Sequence, residues 1–305
     1  MSSLPKRILL TGAGGFIGSR LLRRLASPDR EIVAVTRNAR RIAALPGIRP
    51  LALDIAAPDF PSLLPQVDAV VHLAALLDLS APPELLRRVN VEATEKLAQW
   101  ASRAGVPYFL HASSLEAQGP SEAPLPQGED AACRPVSSYG RSKLESEGAV
   151  SAHLPAGNLM TARFGNVYGP GSTALIEPLL RLGGDPETMS RIGSFRVQPI
   201  HVDDLAILLE TALRNKPTGL MNLAGPEETS FADITAMITS LLGPLKHAPA
   251  GPAASFRDHV LSSVPRVHRL LSIDRQKKIL PVLFRYDLLK GTAYTLEWLL
   301  QRPRG

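Results

Sequence analysis

A turn with three evenly spaced glycines, set between a short apolar run and a helical pattern, restricts this chain more than any other feature. Residues 7–18 read Arg-Ile-Leu-Leu-Thr-Gly-Ala-Gly-Gly-Phe-Ile-Gly. The apolar run Ile8–Thr11 predicts a strand, and the stretch Phe16 to Leu25 predicts a helix opening near Gly15. Gly12 allows a tight turn, Gly15 lets the backbone approach a pyrophosphate, and Gly18 lets the helix pack closely on a sheet. The helix N-terminus would offer free N–H groups and a positive dipole end to that anion. Glycines also serve ordinary turns. The strand before and the helix after make Gly12-x-x-Gly15-x-x-Gly18 a variant of the dinucleotide fingerprint.

The rest of the first half repeats this alternation. Ile32–Thr36, Leu51–Leu53, Ala69–Leu73 and Tyr108–Ala112 are nearly continuous apolar runs, as strands buried on both faces should be. Between the last two, Pro83–Gly105 carries Leu85, Leu86, Val89, Val91, Leu97 and Trp100 at helical spacing. Alternating strand and helix predicts an α/β fold of Rossmann type, a doubly wound parallel sheet. After about residue 166 the pattern loosens, with helices legible at Asp203–Leu213, Phe231–Leu242 and Asp287–Leu300. This predicts a Rossmann domain over 1–166 with a returning segment at about 199–225. A smaller, mostly helical substrate region would comprise 167–198 and 226–305. The Pro- and acid-rich stretch Pro120–Pro135 reads as a surface loop near the site.

At 305 residues the chain is long enough for a sizeable core, and 45% apolar with 20% charged residues excludes general disorder. Its net charge of +6 is spread along the chain, without the basic run and interleaved aromatics of a nucleic-acid binder. One cysteine, Cys133, allows neither a disulfide framework nor a zinc cluster, and no metal site is expected. Neither a signal-peptide pattern nor a membrane-length apolar stretch is read, which predicts a cytoplasmic protein.

From Thr11-Gly-x-x-Gly-Phe-Ile-Gly18 onward the chain resembles the extended short-chain dehydrogenase/reductases, the NAD-dependent epimerase/dehydratase family. Leu53-Asp54-Ile55 resembles the segment whose Asp contacts adenine. Val71-His72-Leu73-Ala74-Ala75 resembles the fourth strand that lines the cofactor, and Val89-Asn90-Val91 the Asn-Val helix segment. Arg163-Phe164-Gly165-Asn166-Val167-Tyr168-Gly169-Pro170 and Pro199-Ile200-His201-Val202-Asp203-Asp204 resemble two later signatures. The resemblance implies cofactor contacts from Phe16, Ile17, Asp54, Ile55, Leu73, Ala74, Ala75, Asn90 and Val167. It also implies a place for Asn166 near a substrate phosphate or sugar, and a homodimer through Pro83–Gly105 and Ser137–His153. His72 and His201 read as packing residues, and Asp203 and Asp204 as caps of the helix that follows.

Tyr139 and Lys143 stand four apart, on one face of a helix. A free tyrosine titrates near 10, too high for an efficient base at neutral pH. A neighbouring ammonium and a positive nicotinamide ring would both favour the phenolate. Tyr139 could then exchange a proton with an alcohol or ketone as hydride moves, while Lys143 also holds the nicotinamide ribose. Ser114, 25 residues before Tyr139, ends the run Leu110–Ser114. It resembles the family's hydroxyl that bonds the reacting oxygen, with Ser113 as the alternative.

The chain also departs from the family. Ala117-Gln118-Gly119 replaces the frequent Val-Tyr-Gly. Leu115-Glu116 replaces the Asp-Glu pair of the 4,6-dehydratases, leaving Glu116 as a residual acid/base group or an exposed loop carboxylate. Val197 occupies the place of an arginine that binds diphosphate, with Arg196 shifted one position to the opposite face of a strand. The family's second diphosphate-binding arginine has no clear match, with Arg257 and Arg266 as candidates, and Arg163, Arg196 and Arg266 are the possible substitutes for phosphate recognition. At the end of the second strand Arg37, with Arg40 and Arg41 close behind, stands where NAD enzymes place an acid, which predicts NADP over NAD. The leading expectation is an NAD(P)-dependent epimerase or dehydratase-like enzyme on a sugar nucleotide, with weak activity on common UDP-hexoses. Two others stay open: a carbonyl reductase or alcohol dehydrogenase on a small or hydrophobic substrate, and a non-catalytic NADP-binding sensor or assembly protein.

Overall fold

The computed structural model describes residues 3–78, 81–121, 123–243 and 267–302. Its centre is a seven-stranded sheet of β1 (Arg7–Thr11), β2 (Glu31–Thr36), β3 (Ile48–Ala52), β4 (Ala69–His72), β5 (Phe109–Ser114), β6 (Leu159–Phe164) and β10 (Gly219–Leu223). The spatial order is β10-β6-β5-β4-β1-β2-β3 and every pairing is parallel. This is the Rossmann-type doubly wound sheet expected from the alternating pattern.

The period of two along each strand divides the core. Ile8 and Leu10 of β1 join Ile32 and Ala34 of β2 on one face, under α1 (Phe16–Leu25) and α8 (Val202–Asn215). Leu9, Val33 and Val35 face the other way, under α3 (Ala93–Arg103) and α5 (Ser138–His153). Neither face meets water, so the strands read as unbroken apolar runs. Strands the sequence hid are those with buried polar residues. In β6, Thr161 and Arg163 interrupt the run, yet all six residues are buried. Arg163 is accommodated because its guanidinium forks onto Glu147 of α5, Nε to Oε1 at 2.9 Å and Nη2 to Oε2 at 2.7 Å. In β10, Asn222 donates its backbone N–H to Glu129 and its amide to the Gln127 and Ser272 carbonyls. The Pro120–Pro135 stretch is thereby tied to the sheet rather than lying loose on the surface. β3 starts three residues earlier than the apolar run Leu51–Leu53. It is the edge strand, where Pro50 costs no ladder bond to a further neighbour.

The remaining elements form the smaller, mostly helical part. Short ladders pair β7 (Asn166–Tyr168) with β9 (Pro199–His201), and β8 (Arg196–Val197) with β11 (Thr229–Ser230). Around them lie α6 (Ile176–Leu182), α7 (Pro186–Ile192), α9 (Phe231–Leu242) and α11 (Leu288–Gln301), whereas α10 (Asp274–Ile279) packs against β10. Ile176, Leu179, Ile192, Ile234, Ile238 and Leu296 give this part its own core. Asp204 joins it to α8 by accepting the Arg285 and Tyr286 N–H groups at 2.7 and 3.1 Å. Among the described residues no helix is long and apolar enough to cross a membrane.

Candidate active site

The chain leaves β1 toward β2 on one side and β4 on the other, so a crevice opens beyond their carboxyl ends. The glycine turn lies at that point. Gly12 takes φ +68°, and a Cβ there would meet the Ala74 nitrogen at 2.8 Å. A Cβ on Gly18 would press to 2.2 Å from the Gly12 carbonyl, so α1 can sit this close only with glycine. Gly15, the residue that caps α1, is exposed, and its Cβ would meet only the Gly12 carbonyl at 3.1 Å. The open cradle at a helix N-terminus fits the pyrophosphate of a dinucleotide. Phe16 and Ile17, in the first turn of α1, are partly buried.

The opposite wall is Leu73–Ala75, beyond β4. Thr11 Oγ1 accepts the Ala74 N–H at 3.2 Å and bonds His72 Nδ1 at 2.7 Å, while His72 Nε2 meets Thr94 Oγ1 at 2.8 Å. Burial pushes His72 down to about 3, so it is a neutral packing residue. Pro83–Gly105 is not one regular helix: α2 (Pro83–Leu86) and α3 are joined by a wide helical turn, Arg87–Glu92. That turn brings Asn90 wholly inside, where its Oδ1 accepts from Leu76 N at 2.7 Å. Its Nδ2 donates to the Leu76 carbonyl at 3.1 Å and to Ser142 Oγ at 3.0 Å. Asn90 thus fastens the segment that follows Leu73–Ala75 to α5. Asp54 is exposed and Ile55 buried just beyond β3, and Asp54 Oδ1 accepts from Ala56 N at 3.0 Å. Arg37 lies exposed at the end of β2, with Arg40 and Arg41 in the following short turn.

Ser114 ends β5 and caps α4 (Leu115–Gln118), its Oγ accepting from Glu116 N at 3.2 Å. The same hydroxyl lies near enough to the Tyr139 phenol to favour its ionised form. Ser113 turns away, donating to Glu147 Oε1 at 2.5 Å. Tyr139 and Lys143 on α5 are 7% and 2% exposed. Burial dominates both: it pushes Tyr139 up to about 12, against the nearby Ser114 hydroxyl, and Lys143 down to about 8, against the charge of Glu147. The protein shell by itself therefore does not lower Tyr139, in contrast to the expectation from its Lys143 spacing, because desolvation dominates and the charge of Glu116 adds to it.

Other expectations change with the packing. Glu116 is not an exposed loop carboxylate. It lies on α4, accepts from Ser137 Oγ at 3.1 Å and pairs with Arg269 Nη1 at 2.5 Å. Arg163 is not available for phosphate, because its fork is engaged by Glu147. Arg196 is half-exposed and pairs with Glu228 at 3.3 Å, whereas Val197 is buried in the helical part. Arg257 and Arg266 lie outside the described residues. Asn166 and Val167 lie on β7, partly buried, and the Asn166 Oδ1 has no partner among the described residues. His201 caps α8 by accepting the Asp203 N–H, so Asp203 and Asp204 are not the capping residues; Asp203 pairs with Arg20 at 3.6 Å. Nothing in the sequence points to Arg269, which is remote along the chain and lacks any motif spacing. It reaches the site because residue 269 bridges to Val197.

Residues 8–224 match the model of the NAD dependent epimerase/dehydratase family. The chain belongs to that family. It is 28% identical to a dTDP-4-dehydro-6-deoxy-D-allose reductase of a Streptomyces species, over 96% of each chain. A UDP-glucose 4-epimerase of Vibrio cholerae is 32% identical over 69% of this chain and 67% of its own. Among solved structures, MoeE5 in complex with UDP-glucose and NAD is 27% identical, with a TM-score of 0.76 over 96% of this chain and 98% of that one. As a member of the family this chain is an NAD(P)-dependent enzyme of the extended short-chain dehydrogenase/reductase type, and the open Gly15 cradle agrees with that chemistry.

Proposed function

We propose that this enzyme moves hydride at a secondary alcohol or ketone of a nucleotide sugar, with Ser114, Tyr139 and Lys143 as its catalytic residues. One observation carries the reading: the Ser114 hydroxyl, at the carboxyl end of β5, lies beside the buried Tyr139 phenol, with Lys143 one turn further along α5. A pure binding module needs no buried phenol beside a serine at this place.

In this reading Ser114 donates to the substrate oxygen and orients it. Tyr139 returns a proton to that oxygen on reduction or removes one on oxidation. Lys143 holds the nicotinamide ribose. When bound, a nicotinamide would supply or accept the hydride, and its positive oxidised ring would favour the phenolate that burial alone opposes. The glycine turn from Gly12 to Gly18 holds the pyrophosphate, and Leu73, Ala74, Ala75 and Val167 line the groove. Asp54 and Ile55 belong to the adenine end, and Asn166 to the substrate. Leu115 can donate no proton where a 4,6-dehydratase needs an acid, so elimination of water is not part of the reaction. A homodimer would form across α3 and α5, as the resemblance implies.

The cofactor is NADP in preference to NAD. No acid stands at the end of β2, and Arg37, Arg40 and Arg41 offer planar donors to a 2′-phosphate. A panel of nucleotide sugars and simple ketones, assayed with both cofactors, tests the whole reading. Turnover of a nucleotide sugar is expected, and an epimerase would return its cofactor unchanged whereas a reductase would consume it. Turnover of simple ketones alone would replace the nucleotide-sugar assignment. Efficient epimerisation of UDP-glucose would contradict the weak UDP-hexose activity expected from Val197.

A further inference from the structure

His111 is wholly buried on β5 and has no part in the reaction outlined above. It stands in register with His72 of β4, and the two rings stack with centroids 5.6 Å apart. Hydroxyls with a single proton fix the tautomer of each ring. Thr94 gives its proton to the Asn90 carbonyl at 2.7 Å, so it accepts from His72 Nε2, and Thr11 donates to His72 Nδ1. Both nitrogens of His72 are thereby used. Ser146, also wholly buried, gives its proton to the Lys143 carbonyl at 2.7 Å, so it accepts from His111 Nε2 at 3.0 Å. The lone pair on His111 Nδ1 is buried and meets no donor among the described residues.

A buried lone pair without a donor opposes folding, and phenylalanine would fill the same space without it. The ring is distinguished by one bond, the N–H it gives to Ser146, whose hydroxyl in turn holds the backbone of Lys143. Ring N–H, hydroxyl and carbonyl form a chain in which each bond polarises and strengthens the next. Burial, and after it the charge of Lys143, holds His111 well below the ordinary histidine range, so the ring is a fixed neutral donor and not a base. Ser113 makes a parallel tie from β5 to Glu147 of α5, whereas the His111–Ser146 chain ends on Lys143 itself.

We propose that His111 is a positioning residue for Lys143: through Ser146 it fixes that turn of α5 against β5, and so sets the reach of the ammonium toward the cofactor ribose. This rests on the reading above in which Lys143 holds that ribose.

The test is a fluorescence titration of the full chain with NADPH, or with NADH if that binds more tightly, and it requires no substrate. His111→Phe keeps an aromatic ring and removes the donor, while Ser146→Ala removes the hydroxyl. Each is expected to weaken the cofactor about 5–10-fold, the effect of one hydrogen bond. The double variant should bind no more weakly than either single one. Neither change should have an effect in a Lys143→Met background, because the chain acts through Lys143. His111→Gln, whose amide N–H takes the place of Nε2–H, should restore affinity to within about twofold of the parent. Melting temperatures show which variants fold, and Ser146→Ala with His111→Gln decides the matter if His111→Phe does not. Unchanged affinity in both His111→Phe and Ser146→Ala overturns the proposal. Losses that add in the double variant, or that persist undiminished in Lys143→Met, make His111 a packing residue of the sheet and overturn it too. A His111→Gln variant as weak as His111→Phe rules out the donated bond. If Lys143→Met binds the cofactor like the parent, Lys143 does not hold the ribose, and the proposal falls with that assignment.

Discussion

Tyr139 and Lys143 share one face of α5, and burial moves them in opposite directions: Tyr139 up to about 12, Lys143 down to about 8. Tyr139→Phe should lower turnover by about 10²–10⁴-fold, because only the phenol oxygen is lost from proton transfer. Cofactor affinity should stay nearly unchanged, since Gly12–Gly18 and the Leu73–Ala75 wall remain. Steady-state kinetics with a fluorescence titration of the cofactor checks both halves, and near-native activity of the Phe variant would remove Tyr139 from the reaction. Lys143 makes a pH prediction with a definite sign. Its value is depressed, so the ammonium is present below about 8 and lost above. The kcat/KM profile should therefore fall as pH rises through about 8, and Lys143→Arg, charged throughout, should lose that alkaline limb. A limb unchanged in Lys143→Arg would belong to another group.

The elements around these residues act through close approach. A Cβ at Gly18 collides with the Gly12 carbonyl at 2.2 Å, whereas one at Gly15 meets that carbonyl at 3.1 Å and otherwise open space. Gly18→Ala should thus lower the melting temperature and cofactor affinity together. Gly15→Ala should fold with little loss but bind cofactor at least about tenfold more weakly, because the methyl enters the pyrophosphate cradle. Calorimetry and titration on the two variants separate the effects, and an unaffected Gly15→Ala would mean that no phosphate approaches there. The proposed cofactor choice is tested at the end of β2. NADP should bind more tightly than NAD, and Arg37→Asp, which sets a carboxylate against a 2′-phosphate, should reverse the order. Tighter NAD binding by the native chain in the same titration would show Arg37 to be a solvated loop residue. The wide turn at Arg87–Glu92 was invisible in the apolar spacing of Pro83–Gly105. It exists because Asn90 must turn inward to reach the Leu76 backbone and Ser142, a contact with two other segments.

At the scale of the molecule, the helical part is attached to the sheet through a few buried polar contacts. Asp204 of α8 accepts two backbone N–H groups from residues 285 and 286, and Glu227 accepts the Leu288 N–H at 3.1 Å. Asp204→Ala leaves those donors without their acceptor and should cost about 2–4 kcal/mol. It should also raise KM for the substrate more than Kd for the cofactor, since the loosened segment leads into the helical part. Thermal unfolding with both titrations checks this, and equal weakening of the two ligands would contradict it. The sequence alone determined the glycine turn, the parallel alternation and the Tyr139–Lys143 pair, because each follows from spacing within one segment: a glycine wherever a Cβ cannot fit, an apolar run wherever both faces are covered, four residues per helical turn. It could not determine β6 and β10, whose polar residues are acceptable only beside Glu147 and Glu129, nor whether Ser113 or Ser114 faces Tyr139. The Glu116–Arg269 pair likewise belongs to the tertiary structure, for burial and charge compensation depend on which distant segments meet, and no local spacing encodes that meeting.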